Sequence, residues 1–116
     1  GHTWRVQWSL ANDEVGDTYT NSAAADRSVQ VSGTFASATC TIQGTNDACR
    51  ETAEVAAATY ATLNDPQGNA LTVSAAKIEA IMEATAGIRP SIAGGSAFGG
   101  GGTTALVITL LVRTPR

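Results

Sequence analysis

The stretch "TTALVITLLVRT" near the end of the chain limits the fold more than any other. Leu106, Ile108, Leu110 and Val112 fall on one side of an extended strand, while Val107 and Leu111 fall on the other. Side chains alternate across a strand, so both faces of this one carry apolar groups. Such a segment runs through the middle of a sheet or lies beneath a partner. Its apolar run, "ALVITLLV", has the length of a strand, far short of the roughly 18 residues that a membrane-spanning helix requires.

The same period of two recurs along the chain. "TWRVQWSL" sets Trp4, Val6, Trp8 and Leu10 on one face and Arg5, Gln7 and Ser9 on the other, the pattern of a half-buried strand. The polar stretch 12–26 has no period and reads as a long loop. "RSVQVSGTF" and "SATCTIQG" alternate again, with Val29, Val31 and Phe35, then Ala38, Cys40 and Ile42, facing inward, and a hairpin between them is expected to turn near Ala36-Ser37. "TYATL" is a short strand candidate. "NDPQGNAL" crowds turn residues together ahead of a strand with Leu71 and Val73 inward.

Ser74 can cap a helix in which Ile78, Ile81 and Met82 form one apolar stripe that ends at Gly87. "GIRPSI" is a strand whose Pro90 lacks an N–H and so suggests an edge or a bulge, and "AGGSAFGGGG" reads as a flexible tip. Together these elements predict an all-β chain, a jelly-roll-like β-sandwich with one short connecting helix, in a single domain spanning 1–116. A small barrel is the alternative that periodicity does not separate from it.

The chain offers little material for catalysis. Its one histidine, His2, stands near the start of the sequence, where a solvated side chain is expected rather than the base of a nucleophile–base pair. Acids are scattered through loops (Asp13, Glu14, Asp17, Asp26, Asp47, Asp65) or placed on the expected helix (Glu79, Glu83), not paired as glycoside hydrolysis requires. Zinc wants about four Cys or His ligands, and Cys40, Cys49 and His2 do not cluster in sequence. Asp47 and Asp65, each after an Asn, could offer carboxylates to a surface Ca²⁺, but turns closed by their side chains are the simpler reading. Neither an enzyme nor a cofactor is indicated. A formal charge of −3 argues against a nucleic-acid partner. The segment "GHTWRVQW" lacks a charged region followed by an apolar one and does not read as a secretory signal, so the chain reads as a soluble protein or the mature part of one.

"TCTIQGTNDAC" is read as a strand end, with Ile42 buried, Gly44 allowing the turn and Asn46-Asp47 closing it. Cys40 fits a small core residue. Cys49 lies beyond the turn, where a disulfide to Cys40 is conceivable, although thiols made in a cytosol stay reduced by default.

The blocks "DRSVQVSGTFASATCTIQGTND", "YATLNDPQGNALT", "IRPSIAGG" and "LVITLLVR" resemble a family of small proteins encoded by tailed bacteriophages, especially short-tailed ones: the capsid decoration, cement or stapling proteins. The family pattern is a strand ending I-Q-G-S-N-D-G, an aromatic strand, L-x-D-P-Q-G-N-A-L, a short helix and Y-x-R-P. The likeness runs from Asp26 to Arg113, and D-P-Q-G-N-A-L is its distinctive part. The chain departs from the pattern in "NDAC", in Tyr60 where the family often has Trp, and in a longer link, Ala48 to Thr59, expected to form a helical turn or two and to project from a sheet edge.

The resemblance implies a jelly-roll-like protein made in the host cytoplasm and seated on the virion's capsid surface. There it binds the major capsid protein of the assembled shell and stabilises it against internal DNA pressure. It also implies self-association as a dimer or trimer; the charge and the lack of a long apolar run argue against a nucleic-acid or membrane partner. Three features could carry the contacts. Trp4 and Trp8 could anchor an N-terminal strand on a neighbour or pack in the core. Phe98, alone among glycines, could insert into a capsid groove or fold back. The C-terminal strand, through Leu106, Ile108 and Leu110, is the expected subunit interface. The alternative is a virion-associated carbohydrate-binding β-sandwich, because Trp4 and Trp8 lie about 13 Å apart along one strand face, a spacing suited to stacking on sugar rings.

Overall fold

A computed structural model describes residues 3–20, 26–83, 85–95 and 103–113; of Trp4 it describes the strand position alone. The expected all-β architecture is present, as two antiparallel sheets closed over one core. The first sheet contains β1 (Thr3–Ala11), β8 (Ala105–Arg113), β2 (Asp26–Thr34) and β6 (Lys77–Ala80), in that order. In the second, β3 (Thr39–Thr45) pairs along its length with β7 (Gly87–Ala93), and its other edge is shared by β4 (Ala61–Thr62) and β5 (Thr72–Val73).

Beyond β7, residues 14–19 complete the second sheet, bridging Val15 to Ser91 and Tyr19 to Ile88. The stretch expected as a featureless loop therefore covers an edge. Pro90 explains its irregular path. Ile88 and Ile92 donate backbone N–H groups to Tyr19 and Glu14, whereas Pro90, having no N–H, only accepts from Gly16. The chain bulges where the missing donor would have paired.

Alternation buries β8 as expected. Leu106, Ile108, Leu110 and Val112 lie beside Val29 and Val31 of β2 in the first sheet, and with Cys40 and Ile42 of β3 and Ile88 and Ile92 of β7 they form one apolar core. This corrects one expectation. Leu106, Ile108 and Leu110 are almost wholly buried within a single protomer, so they hold its two sheets together and are not available to a second subunit. The strand's other face, Val107, Thr109 and Leu111, is the one turned outward.

Two further expectations are corrected. The turn at Ala36-Ser37 exists, with φ of 47° and 72° and Ala38 N donating to Phe35 O at 2.8 Å, yet it closes no hairpin. β2 pairs with β8 and β6, while β3 pairs in the opposite sheet, so the turn is a corner that carries the chain across the sandwich. The segment expected as a helix is β6, which pairs Ser28 with Ala80 and Val31 with Lys77. Its apolar stripe is split: Ile81 is buried, whereas Ile78 and Met82 are 67% and 62% exposed. A short isolated helix is marginal, and the open edge of β2 supplies hydrogen bonds that local propensity cannot match.

The one helix among the described residues, α1 (Thr52–Ala57), instead forms in the long link, as foreseen for that insertion. Its start is fixed by a capping box between Glu51 and Glu54. None of its residues is buried.

Candidate interaction surface

The outward face of the first sheet is a broad, shallow surface of mostly neutral side chains. Register places Arg5, Leu111, Ser28 and Ala80 in one row across it, and Gln7, Thr109, Gln30 and Ile78 in the next. Gln7 Nε2 donates to Thr109 Oγ1 at 3.0 Å. Leu111 is 40% exposed and shares a depression with Ala80 and Met82 at one end of the face. An ion pair at 3.1 Å between Arg113 and Asp26 rims that end. Exposed Ile78, Met82 and Leu111 give this face the apolar anchors that a protein contact uses, set among hydroxyl and amide groups.

Behind that surface, Arg27 points into the sandwich and is only 6% exposed. Burial pulls its pKa below the usual arginine value, and the nearby Glu83 carboxylate opposes that shift. Glu83 is itself held by Asn64, which donates its backbone N–H and its Nδ2 at 2.8 Å each. Chiefly through the backbone donor, the carboxyl is held below the ordinary glutamate range. These residues tie the segment after β6 to the loop after β4. They form no acid–base pair aimed at a cleft, and among the described residues no three His, Cys, Asp or Glu side chains gather to hold a metal ion.

The turn "NDPQGNAL" is built by Asp65, whose Oδ1 accepts from the backbone N–H of Gln67 at 3.0 Å and of Asn69 at 2.9 Å. Asp47 works similarly, accepting from Thr59 N at 2.7 Å across the base of the α1 link. Both carboxylates that could have served an ion close turns instead. Gly44 is needed for a different reason from the one its turn-like sequence suggested. It lies within β3, where a Cβ would come within 2.8 Å of Leu63 Cδ2 and Thr85 Oγ1, so close packing requires the glycine. Cys40 and Cys49 are both free thiols. Burial pushes the Cys40 thiol up to about 12, the state of an inert core residue.

Of the predicted contact residues, Trp8 stands opposite Ile108 across β1 and β8, on the inner side of the first sheet. Trp8 is half-buried, its indole N–H donating to Asp17 O at 2.8 Å, and Gly16 sits so close that a Cβ there would lie 2.6 Å from Trp8 Cδ1. The 14–19 segment therefore covers part of its ring. Trp4 stands opposite Val112 in β1, with its side chain outside what is described, and His2 and Phe98 also lie outside the described residues. Tyr60 is occupied as well: the Arg89 guanidinium stacks 3.6 Å from its ring centroid, and its hydroxyl bonds Thr18 at 2.7 Å. Sequence reasoning missed the outward face made by Leu111, Ile78 and Met82, because the last two were read as the buried stripe of a helix.

Comparison of the chain with protein-family models, with curated proteins and with solved structures returns no match.

Proposed function

We propose that this chain is a head decoration protein of a tailed bacteriophage, a jelly-roll-type sandwich that binds the outside of the assembled major capsid protein shell. The observation that carries the reading is the shallow, mostly neutral outer face of the first sheet with its exposed Leu111, Ile78 and Met82. The resemblance of the Asp26–Arg113 region to the decoration family points the same way. Jelly-roll topology is supported by counting 14–19 as a strand. The sheets then run first-eighth-third-sixth and second-seventh-fourth-fifth in chain order, with β4 and β5 together as the fifth.

The mechanism is one of mass action. A protein that binds the assembled lattice but not free subunits lowers the free energy of the shell by RT ln(1 + [L]/Kd) at every site. The lattice repeats each site, so modest single contacts sum over the particle and no deep pocket is needed. The carbohydrate-binding alternative depended on Trp4 and Trp8 together as stacking platforms, and the partial cover of the Trp8 ring by 14–19 weighs against it.

Quantitative mass analysis of purified virions tests the proposal. On the order of hundreds of copies per particle, in a fixed ratio to the major capsid protein as lattice symmetry demands, is the expected result. A handful of copies, or none, overturns it.

A further inference from the structure

The sheet edges differ in how they are protected. β6 is four residues long and carries the Lys77–Glu79 ion pair, and β4 and β5 have two residues each. The outer edge of β7 is covered by 14–19. Of the strands β1 to β8, β1 alone is long and open: its nine residues are paired to β8 without interruption, and no other strand lies beside it among the described residues. It has no proline, no bulge and one charge, Arg5, and so lacks the usual devices that keep an edge strand single.

Polarity along this edge is readable. The backbone N–H of Ala11 turns away from β8 to Glu14 Oε1, and its carbonyl accepts from Glu14 N. By ladder alternation the N–H and C=O groups of Arg5, Gln7 and Ser9 also face outward. On the inner side Val6, Trp8 and Leu10 are half-buried, whereas their register partners Leu110, Ile108 and Leu106 are fully buried. The 14–19 segment covers part of Trp8, and among the described residues no strand flanks any of the three on the side away from β8.

We infer that a second copy of this chain supplies the flanking strand, β1 pairing antiparallel with β1 about a two-fold axis at Gln7 to join two four-stranded sheets into one. The strand is self-complementary in this register. Gln7 meets Gln7, Arg5 faces Ser9, and on the inner side Val6 faces Trp8, an aromatic to β-branched pair of the kind that favours cross-strand contact. Outward-facing residues fall opposite outward-facing residues, so their hydrogen bonds close in reciprocal pairs. Glu14, bound at Ala11, ends the ladder and sets a negative group near the end where Arg5 of the second copy arrives. A slip that opposed Arg5 to itself would place like charges together. The interface is isologous and closes at two copies. It does not depend on the decoration role, since it is a property of the purified chain in solution.

The test is native mass and sedimentation of the full chain at tens of micromolar. The wild type is expected at twice the 11.8 kDa chain mass. Gln7→Lys places two ammonium groups at the axis and is expected to weaken the dimer by at least about ten-fold, whereas Ile78→Lys on the opposite edge leaves it intact. In a Cys49→Ser background, Gln7→Cys is expected to form an interchain disulfide on oxidation, which Leu111→Cys does not; this holds the proposal to account even if Gln7→Lys folds poorly. A monomer, a trimer, a dimer indifferent to Gln7→Lys, or equal crosslinking at Leu111 each overturns it.

Discussion

Replacing Leu110 by alanine should cost far more than replacing its neighbour Leu111, and the contrast tests which face of β8 is core. Leu110 is 1% exposed and Leu111 40% exposed. Leu→Ala removes three carbons, about 2.4 kcal/mol of transfer free energy at roughly 0.8 kcal/mol each. At Leu110 the packed layer around Ile42, Ile88 and Val29 cannot collapse fully, so a cavity term brings the loss to about 3–4 kcal/mol. At Leu111 part of that surface is already wet and solvent fills the gap, leaving about 1 kcal/mol. With an unfolding entropy near 2.1 cal/mol/K per residue, a chain of 116 residues should lose about 12–16 °C in Tm for the first change and about 4 °C for the second. Thermal melts followed by circular dichroism at two protein concentrations measure both. Equal losses would refute the burial argument. So would a Leu110→Ala protein that keeps its Tm and only changes its state of association, because that is how an interface residue behaves.

Other consequences follow from single contacts. Glu83→Gln should cost about 1–2 kcal/mol at neutral pH, since it weakens the charge-assisted bonds to Asn64 and removes the charge facing Arg27. The folded carboxyl titrates below its unfolded value of about 4.3, so this contribution is complete above that value and fades as pH falls through the folded one; urea melts of both proteins across pH 3 to 7 should converge at the acid end, and a constant gap would count against it. One thiol per chain, Cys49, should react with a thiol reagent in the native protein and two in denaturant, whereas finding no reactive thiol even in denaturant would reveal a Cys40–Cys49 disulfide. Asp65→Ala should cost about 1–3 kcal/mol by orphaning the N–H groups of Gln67 and Asn69; a chelator should leave the wild-type Tm unchanged, and a drop of several degrees would mean that an ion is bound.

Much of this fold is legible because its strands are half-buried: the alternation in 105–113, 26–34 and 39–45 identifies the inner face of each. The Asp-Pro-Gln-Gly-Asn run likewise specifies its own turn, since Asp65 bonds only locally. Pairing is less legible. Nothing in "TFASAT" distinguishes a hairpin from a corner, because a two-residue turn with positive φ serves both, and the outcome depends on β8 arriving from the far end of the chain to separate β2 from β3. For 74–86, three apolar residues satisfied a helical spacing by coincidence, and the demand for a strand comes from the exposed edge of β2, some fifty residues away. The candidate surface was hidden by the same error: once Ile78 and Met82 are assigned to a buried stripe, the face they form with Leu111 vanishes from view. Gly44 shows the limit from the other side, as a glycine in a turn-like sequence is indistinguishable from one required by the approach of Leu63.

The most direct test of the decoration role is to mix the purified protein with assembled, empty shells and, separately, with unassembled major capsid protein, and then to heat the shells. The account predicts that the protein sediments with shells and not with free subunits, that it raises the temperature at which shells break open, and that Leu111→Lys or Ile78→Lys on the outer face reduces that binding. Equal binding to free subunits, or shells that open at the same temperature with and without the protein, would contradict it.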